Sequence, residues 1–146
     1  MKKILILLTA AIVIFSTQAH SRDTKHMLSI EAAMNSADFI KKLDPSIRFY
    51  FGNQAHPEVV KSYGKFVSNK KTNAFGKSDE AACEWVLLSA MLSLQDRVKA
   101  EGGNAVININ SYYKKNTVSS ETEYECHAGA IMAGVALQGE VVKIAE

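Results

Sequence analysis

Apolar residues recur every three or four positions along one stretch of this chain and every second position along several others. Between Ser78 and Glu101, the residues Cys83, Val86, Leu87, Ala90, Met91, Leu94 and Val98 fall on one face of a 3.6-residue helix. Trp85, Leu88 and Leu92 widen that stripe, leaving Glu84, Gln95, Asp96 and Lys99 for the outside, as expected of a helix laid across a sheet. Ser78 is placed to cap its start. Asp79 and Glu80 follow where carboxylates meet the positive helix end, and Gly102 or Gly103 supplies the left-handed residue that stops it.

The two-residue period predicts strands. Ile47, Phe49 and Phe51 alternate with polar neighbours before a Gly52–Asn53 turn, and Val59 to Asn69, interrupted by Gly64, suits an exposed or bulged strand. From Ala105 to Tyr113, the side chains of Ala105, Ile107 and Ile109 share one face, and Asn108, Asn110 and Tyr112 share a wetter one. From Glu121 to Ala128, Thr122, Tyr124 and Cys126 face one way and Glu123, Glu125 and His127 the other, so Cys126 can reach the helix while its neighbours stay out of the core. Gly129 to Leu137 reads as a buried strand with a bulge at Gly134, followed by a bend or turn at Gln138–Gly139 and another β-segment over Val141 to Ile144. Ser29 to Met34 and Ser36 to Leu43 read as short helices, the second ended by Asp44–Pro45. The predicted fold is α+β, a mainly antiparallel twisted sheet packed against one long helix. It comprises an N-terminal mixed or helical segment, 20–45, and a single α+β domain, 46–146.

The first residues change the charge of that domain. Lys2 and Lys3 precede an apolar run from Ile4 to Phe15, and Ser16 to Ala19 are small or polar, which is the pattern of a signal peptide over 1–19. A membrane anchor is the alternative, but the run is short against the roughly 20 residues needed to span a bilayer. Cleavage removes two of the 17 basic side chains and none of the 15 acidic ones, so the net charge falls to zero. That excludes the basic footprint a nucleic-acid binder requires. Lys70–Lys71 and Lys114–Lys115 are short pairs that suit solvated turns better than anionic-ligand sites. No cysteine near residue 20 offers a lipidation acceptor, and the apolar window from Ala128 to Leu137 is too short to insert. The expected location is the periplasm or the medium, with no stable membrane insertion after cleavage.

Chemistry-bearing residues are few. Cys83 on the helix and Cys126 on a strand are placed to form a structural disulfide, worth about 2 to 4 kcal/mol by loop-entropy reasoning. Two free thiols are the plainer alternative, and a metal site of Cys83, Cys126 and His127 is the functional one, although adjacent strand residues such as Cys126 and His127 converge poorly. Glu121, Glu123 and Glu125 form an acidic ridge that reads as a solvated face. Asn108, Asn110, Tyr112 and Tyr113 make the best candidate binding surface, since amides and hydroxyls supply directional hydrogen bonds and the rings supply apolar area. No spaced carboxylate pair, nucleophile with its base, phosphate-cradling glycine loop or cofactor motif appears, so the residues point away from enzymatic function.

Gly103-Asn104-Ala105-Val106-Ile107-Asn108-Ile109, then Ser111-Tyr112-Tyr113 and Tyr124-Glu125-Cys126-His127-Ala128-Gly129, resemble a bacterial family of small exported proteins of unknown function. Some of its members carry an excinuclease ATPase subunit name, which this chain does not fit, lacking ATP-binding signatures and DNA-binding charge. The helix and following strands are more remotely similar to the YbjQ fold and to the RcsF envelope sensor. The first similarity implies a heavy-metal-binding label without ligands, and the second a disulfide-stabilised domain with a part in envelope interaction or stress sensing. The resulting expectation is a non-enzymatic envelope protein that binds or senses an envelope protein, polymer or small polar ligand. The alternative is a metal-binding protein.

Overall fold

The computed structural model describes residues 21–146; the expected signal peptide, 1–19, lies outside them. In chain order the elements are β1 (Thr24–Ser29), α1 (Ile30–Met34), α2 (Ala37–Lys42), β2 (Arg48–Phe51), β3 (Val59–Asn73), α3 (Asp79–Glu101), β4 (Ala105–Ser111), β5 (Glu123–Ala128) and β6 (Met132–Ile144), with one 3-10 turn at Tyr113–Lys115. The fold is α+β. Its six strands form one curled, mixed sheet ordered β1-β5-β6-β4-β2, with β3 on the other edge of β6. Every pairing is antiparallel except β2 with β4, which run parallel.

The predicted helix forms as α3, accompanied by the two short ones. Ser78 Oγ accepts from the Ala81 amide at 3.1 Å, and Gly102 takes φ +82° while its own amide and that of Gly103 close back on Val98 O at 3.0 Å. The face from Cys83 to Val98 is buried against the sheet as its spacing predicts. Two positions differ. Gln95, assigned to the outside, is buried and its Oε1 accepts from the Asp44 amide at 2.7 Å, while Trp85, assigned to the stripe, is largely exposed under Lys42 Nζ. A buried amide that satisfies a chain end is as much part of the interior as a leucine.

The stretch 20–45 is not a separate segment. β1 pairs with β5 over its whole length, from Thr24 opposite Ala128 to Ser29 opposite Glu123, and Ile30, Ala33 and Phe39 are buried in the main core. At the other end, β6 runs unbroken for 13 residues. Gln138–Gly139 is therefore strand rather than turn, and Gly134 stays in regular register opposite Lys71 rather than forming a bulge.

β3 shifts register between Val59 and Lys61 and between Ser62 and Gly64, in keeping with the bulged strand predicted there, and a further irregularity sits in β4. Register slips between Ile107 and Asn110, where Asn108 adopts φ +50°, so Asn108 and Ile109 together oppose Gly139. The extra residue reverses the alternation. Val106 and Ile109 face the helix, while Ala105 and Ile107 join Val142 and Ile144 in a small cluster of their own with Tyr50 and Val59. The single-face grouping of Ala105, Ile107 and Ile109 is corrected accordingly. Gly139 makes the bulge possible: a Cβ there would lie 2.5 Å from Val106 Cγ1 and 3.2 Å from Ile109 Cγ1. Gly139→Ala is expected to lower stability by about 1 to 3 kcal/mol through overpacking, read as a fall in the urea midpoint at unchanged slope; a variant as stable as the parent would show that the bulge does not depend on this contact.

Candidate functional site

The bulge sets up one of two polar clusters. Asn108 sits in the left-handed region that asparagine tolerates better than most residues. With Asn110 it lines a cleft of about 380 Å³ together with Asn53, Lys65, Gln138 and Glu140. Glu140 accepts from Ser62 Oγ at 2.6 Å. The side-chain amides of Asn53, Asn108, Asn110 and Gln138 make no hydrogen bond among the described residues, and Asn110 Oδ1 is buried without a partner. Four carboxamides with unspent donors and acceptors therefore converge on one concavity.

The candidate surface named from sequence is thereby divided. Asn108 and Asn110 line this cleft, whereas Tyr113 lies in a second one, of about 430 Å³, with His127, Asp23, Arg22 and Lys71. The Tyr112 amide donates to Ala136 O at 2.9 Å, and its side chain lines neither cleft. Sequence reading missed Asn53, Lys65, Gln138 and Glu140 as partners of Asn108 and Asn110. Only the register of β6 against β3 and β4 brings Lys65, Gln138 and Glu140 together, and the sequence pattern around Gln138–Gly139 points to a turn instead.

The second cluster is built by the motif Tyr124-Glu125-Cys126-His127-Ala128-Gly129. Tyr124, Cys126 and Ala128 face the helix and are buried, and Cys126 is bonded to Cys83 on α3. On the opposite face the His127 ring stacks on Tyr113, with centroids 3.5 Å apart. Its Nε2 lies 2.6 Å from Glu125 Oε1 and its Nδ1 3.2 Å from Asp23 Oδ1. Tyr113 donates its hydroxyl to Asp23 Oδ2 at 3.4 Å, and burial, followed by the Asp23 charge, pushes that hydroxyl above its usual pKa. Glu125 is buried rather than solvated, so the acidic ridge of Glu121, Glu123 and Glu125 is broken at its third member; the Ser111 hydroxyl accepts from the Glu125 amide there. Gly129 closes the motif against the backbone of Arg22, where a Cβ would lie 2.6 Å from the Arg22 oxygen.

Arg22 also holds the helix. Its guanidinium grips Asp79 with two bonds, of 2.7 and 3.0 Å, and donates to Gly129 O at 3.0 Å, while His26 Nε2 lies 2.8 Å from the same carboxylate. Hydrogen bonds first from Arg22 and then from His26 hold Asp79 well below the usual carboxylate range. The sequence identified Asp79 only as a favourable first-turn residue and gave Arg22 and His26 no role, because nothing local signals a partner 57 or 53 positions away.

The metal set proposed from sequence does not assemble. Cys83 and Cys126 are spent on each other, Cys126 and His127 point to opposite faces of β5, and both His127 nitrogens meet carboxylates. Among the described residues no group of three or more metal-ligating side chains converges, and no helix is long and apolar enough to cross a membrane. No family model, curated protein or solved structure matches the chain.

Two depressed carboxylates contribute to stability on the acid side. Hydrogen bonds from Ser46, with Lys99 behind them, bring Asp44 down to about 2, and Asp79 is also lowered. In the unfolded chain both titrate at about 3.9, so below that pH the unfolded state takes up protons that the folded state still refuses. Their contribution is full above about pH 4 and is lost as pH falls through the folded values. Urea midpoints measured from pH 5 downward should therefore decline, and Asp79→Asn should flatten the decline; an equally steep profile in that variant would remove Asp79 from the account.

Proposed function

We propose that this protein binds a polar component of the bacterial cell envelope through the carboxamide-lined cleft on the outer face of its sheet, and that it does so without catalysing a reaction. The observation that carries the reading is the convergence of Asn53, Asn108, Asn110 and Gln138, unengaged by other side chains, on one concavity beside Lys65 and Glu140. Amides that can each donate and accept suit hydroxyl-rich or peptide-like ligands, such as saccharide or peptide parts of an envelope polymer. A left-handed non-glycine residue at the cleft also fits a site, since such conformations collect where a side chain must be aimed.

An exported location belongs to the same proposal. The disulfide supports an oxidising compartment, and the signal-like stretch 1–19 supports transfer to the periplasm or medium. The similarity to the YbjQ fold and to the RcsF sensor is retained as a proposed relationship, with the bridge between helix and sheet as its support.

Titration calorimetry with soluble envelope oligosaccharides and muropeptides tests the cleft. Asn110→Ala combined with Gln138→Ala removes two side-chain amides and should weaken binding about tenfold or more, with the thermal midpoint little changed. Equal affinity in parent and variant, or no binding of any such ligand, would remove the cleft from the function.

A further inference from the structure

Single exposed apolar side chains are ordinary on a protein surface, and Ile40, Val60 and Val67 are of that kind. Three others gather at one end of the molecule: Phe75, Ile131 and Met132 are 75%, 64% and 46% exposed. The turn after β3 and the turn before β6 are joined there by a bond from the Ala74 amide to Ile131 O, 2.7 Å, and Asn73 pairs with Met132. Lysines rim this end. Lys70 and Lys71 lie near the end of β3, Lys77 donates to Asn73 O at 3.2 Å, and Lys25 pairs opposite His127; all four are exposed, and none is in an ion pair among the described residues. Of the nearby acids, Asp23 is turned to His127 and Asp79 to Arg22 and His26, which leaves Glu80 exposed.

The chain also enters the described fold here. Ser21 lines the same cleft as Ile131 and Met132, and at most about 20 Å of extended chain can separate it from Phe15, the last residue of the apolar run. Chain length therefore keeps this end of the molecule within that distance of wherever the run is held.

We propose that this end docks on an anionic lipid surface, with Phe75, Ile131 and Met132 entering the headgroup layer and Lys25, Lys70, Lys71 and Lys77 facing lipid phosphates. An apolar centre inside a cationic rim is the arrangement that combines area burial with attraction to anionic headgroups. The proposal is independent of the carboxamide cleft.

Residues 21–146, which contain every described element and the disulfide, are to be sedimented with phosphatidylcholine vesicles with and without phosphatidylglycerol. Binding is expected only with the anionic lipid and should fade as salt rises. Lys71→Glu should lower the partition coefficient about fivefold or more, and Phe75→Ser should lower it too, with unchanged thermal midpoints because both side chains are exposed. Absence of binding to anionic vesicles, or binding that neither variant reduces, would overturn the proposal. So would a concentration-dependent dimer in sedimentation velocity that Phe75→Ser abolishes, since the apolar end would then belong to self-association.

Discussion

The structure depends on how a two-stranded arm is fastened to the rest of the sheet. β1 and β5 pair fully with each other, but β5 meets β6 only where His127 and Ala128 oppose Gly134 and Ala133. A two-stranded ribbon with so little lateral pairing is marginal by itself in water. Helix α3 supplies what the sheet does not. The Cys83–Cys126 bond ties it to β5, and one turn earlier Asp79 ties it to β1 through His26 and to the segment just before β1 through Arg22. His26 lies directly opposite Cys126 in the register, so the covalent and ionic fastenings are neighbours on one face.

On the other face of the same arm, His127 is enclosed by Tyr113, Asp23 and Glu125. Tyr113 comes from the turn after β4, so this cluster joins the arm to the strand that carries the carboxamide cleft. The motif from Tyr124 to Gly129 is thus accounted for residue by residue as fastening: core contacts, a disulfide, a stacked imidazole and a glycine that admits the Arg22 backbone. It holds the body together, with Glu125 Oε2 left as a buried oxygen without a partner, while the unengaged side-chain amides lie elsewhere, around Asn108 and Asn110. The most distinctive string in the sequence is thus spent on contacts within the fold.

Local signals were legible where the controlling physics is local. The caps and most of the apolar face of α3 and the alternation of β5 follow from spacing and residue type; the pairing of the two cysteines, 43 positions apart, is one of three readings that the sequence leaves open. Reading failed where one residue's backbone state changed everything after it. Asn108 in a left-handed conformation shifts β4 by one position and moves Ile107 to the opposite face from Ile109, and the glycine that leaves room for Val106 and Ile109 beside it lies on another strand. β1 was illegible for a related reason. Thr24 to Ser29 has no clean alternation, and it becomes a strand because β5 offers an edge and Asp79 offers a partner for Arg22. Of the candidate surface, Asn108 and Asn110 share one cleft, and their neighbours there, Asn53, Lys65, Gln138 and Glu140, are brought together only by tertiary register.

The fastening of the arm is tested most directly by amide hydrogen exchange on oxidised and reduced protein under otherwise identical native conditions. If α3 holds the arm through the Cys83–Cys126 bond, reduction should strip protection from Thr24–Ser29 and Glu123–Ala128 well before the amides shared by β3 and β6 are affected. Simultaneous loss across all six strands, or an arm as protected after reduction as before it, would contradict the account.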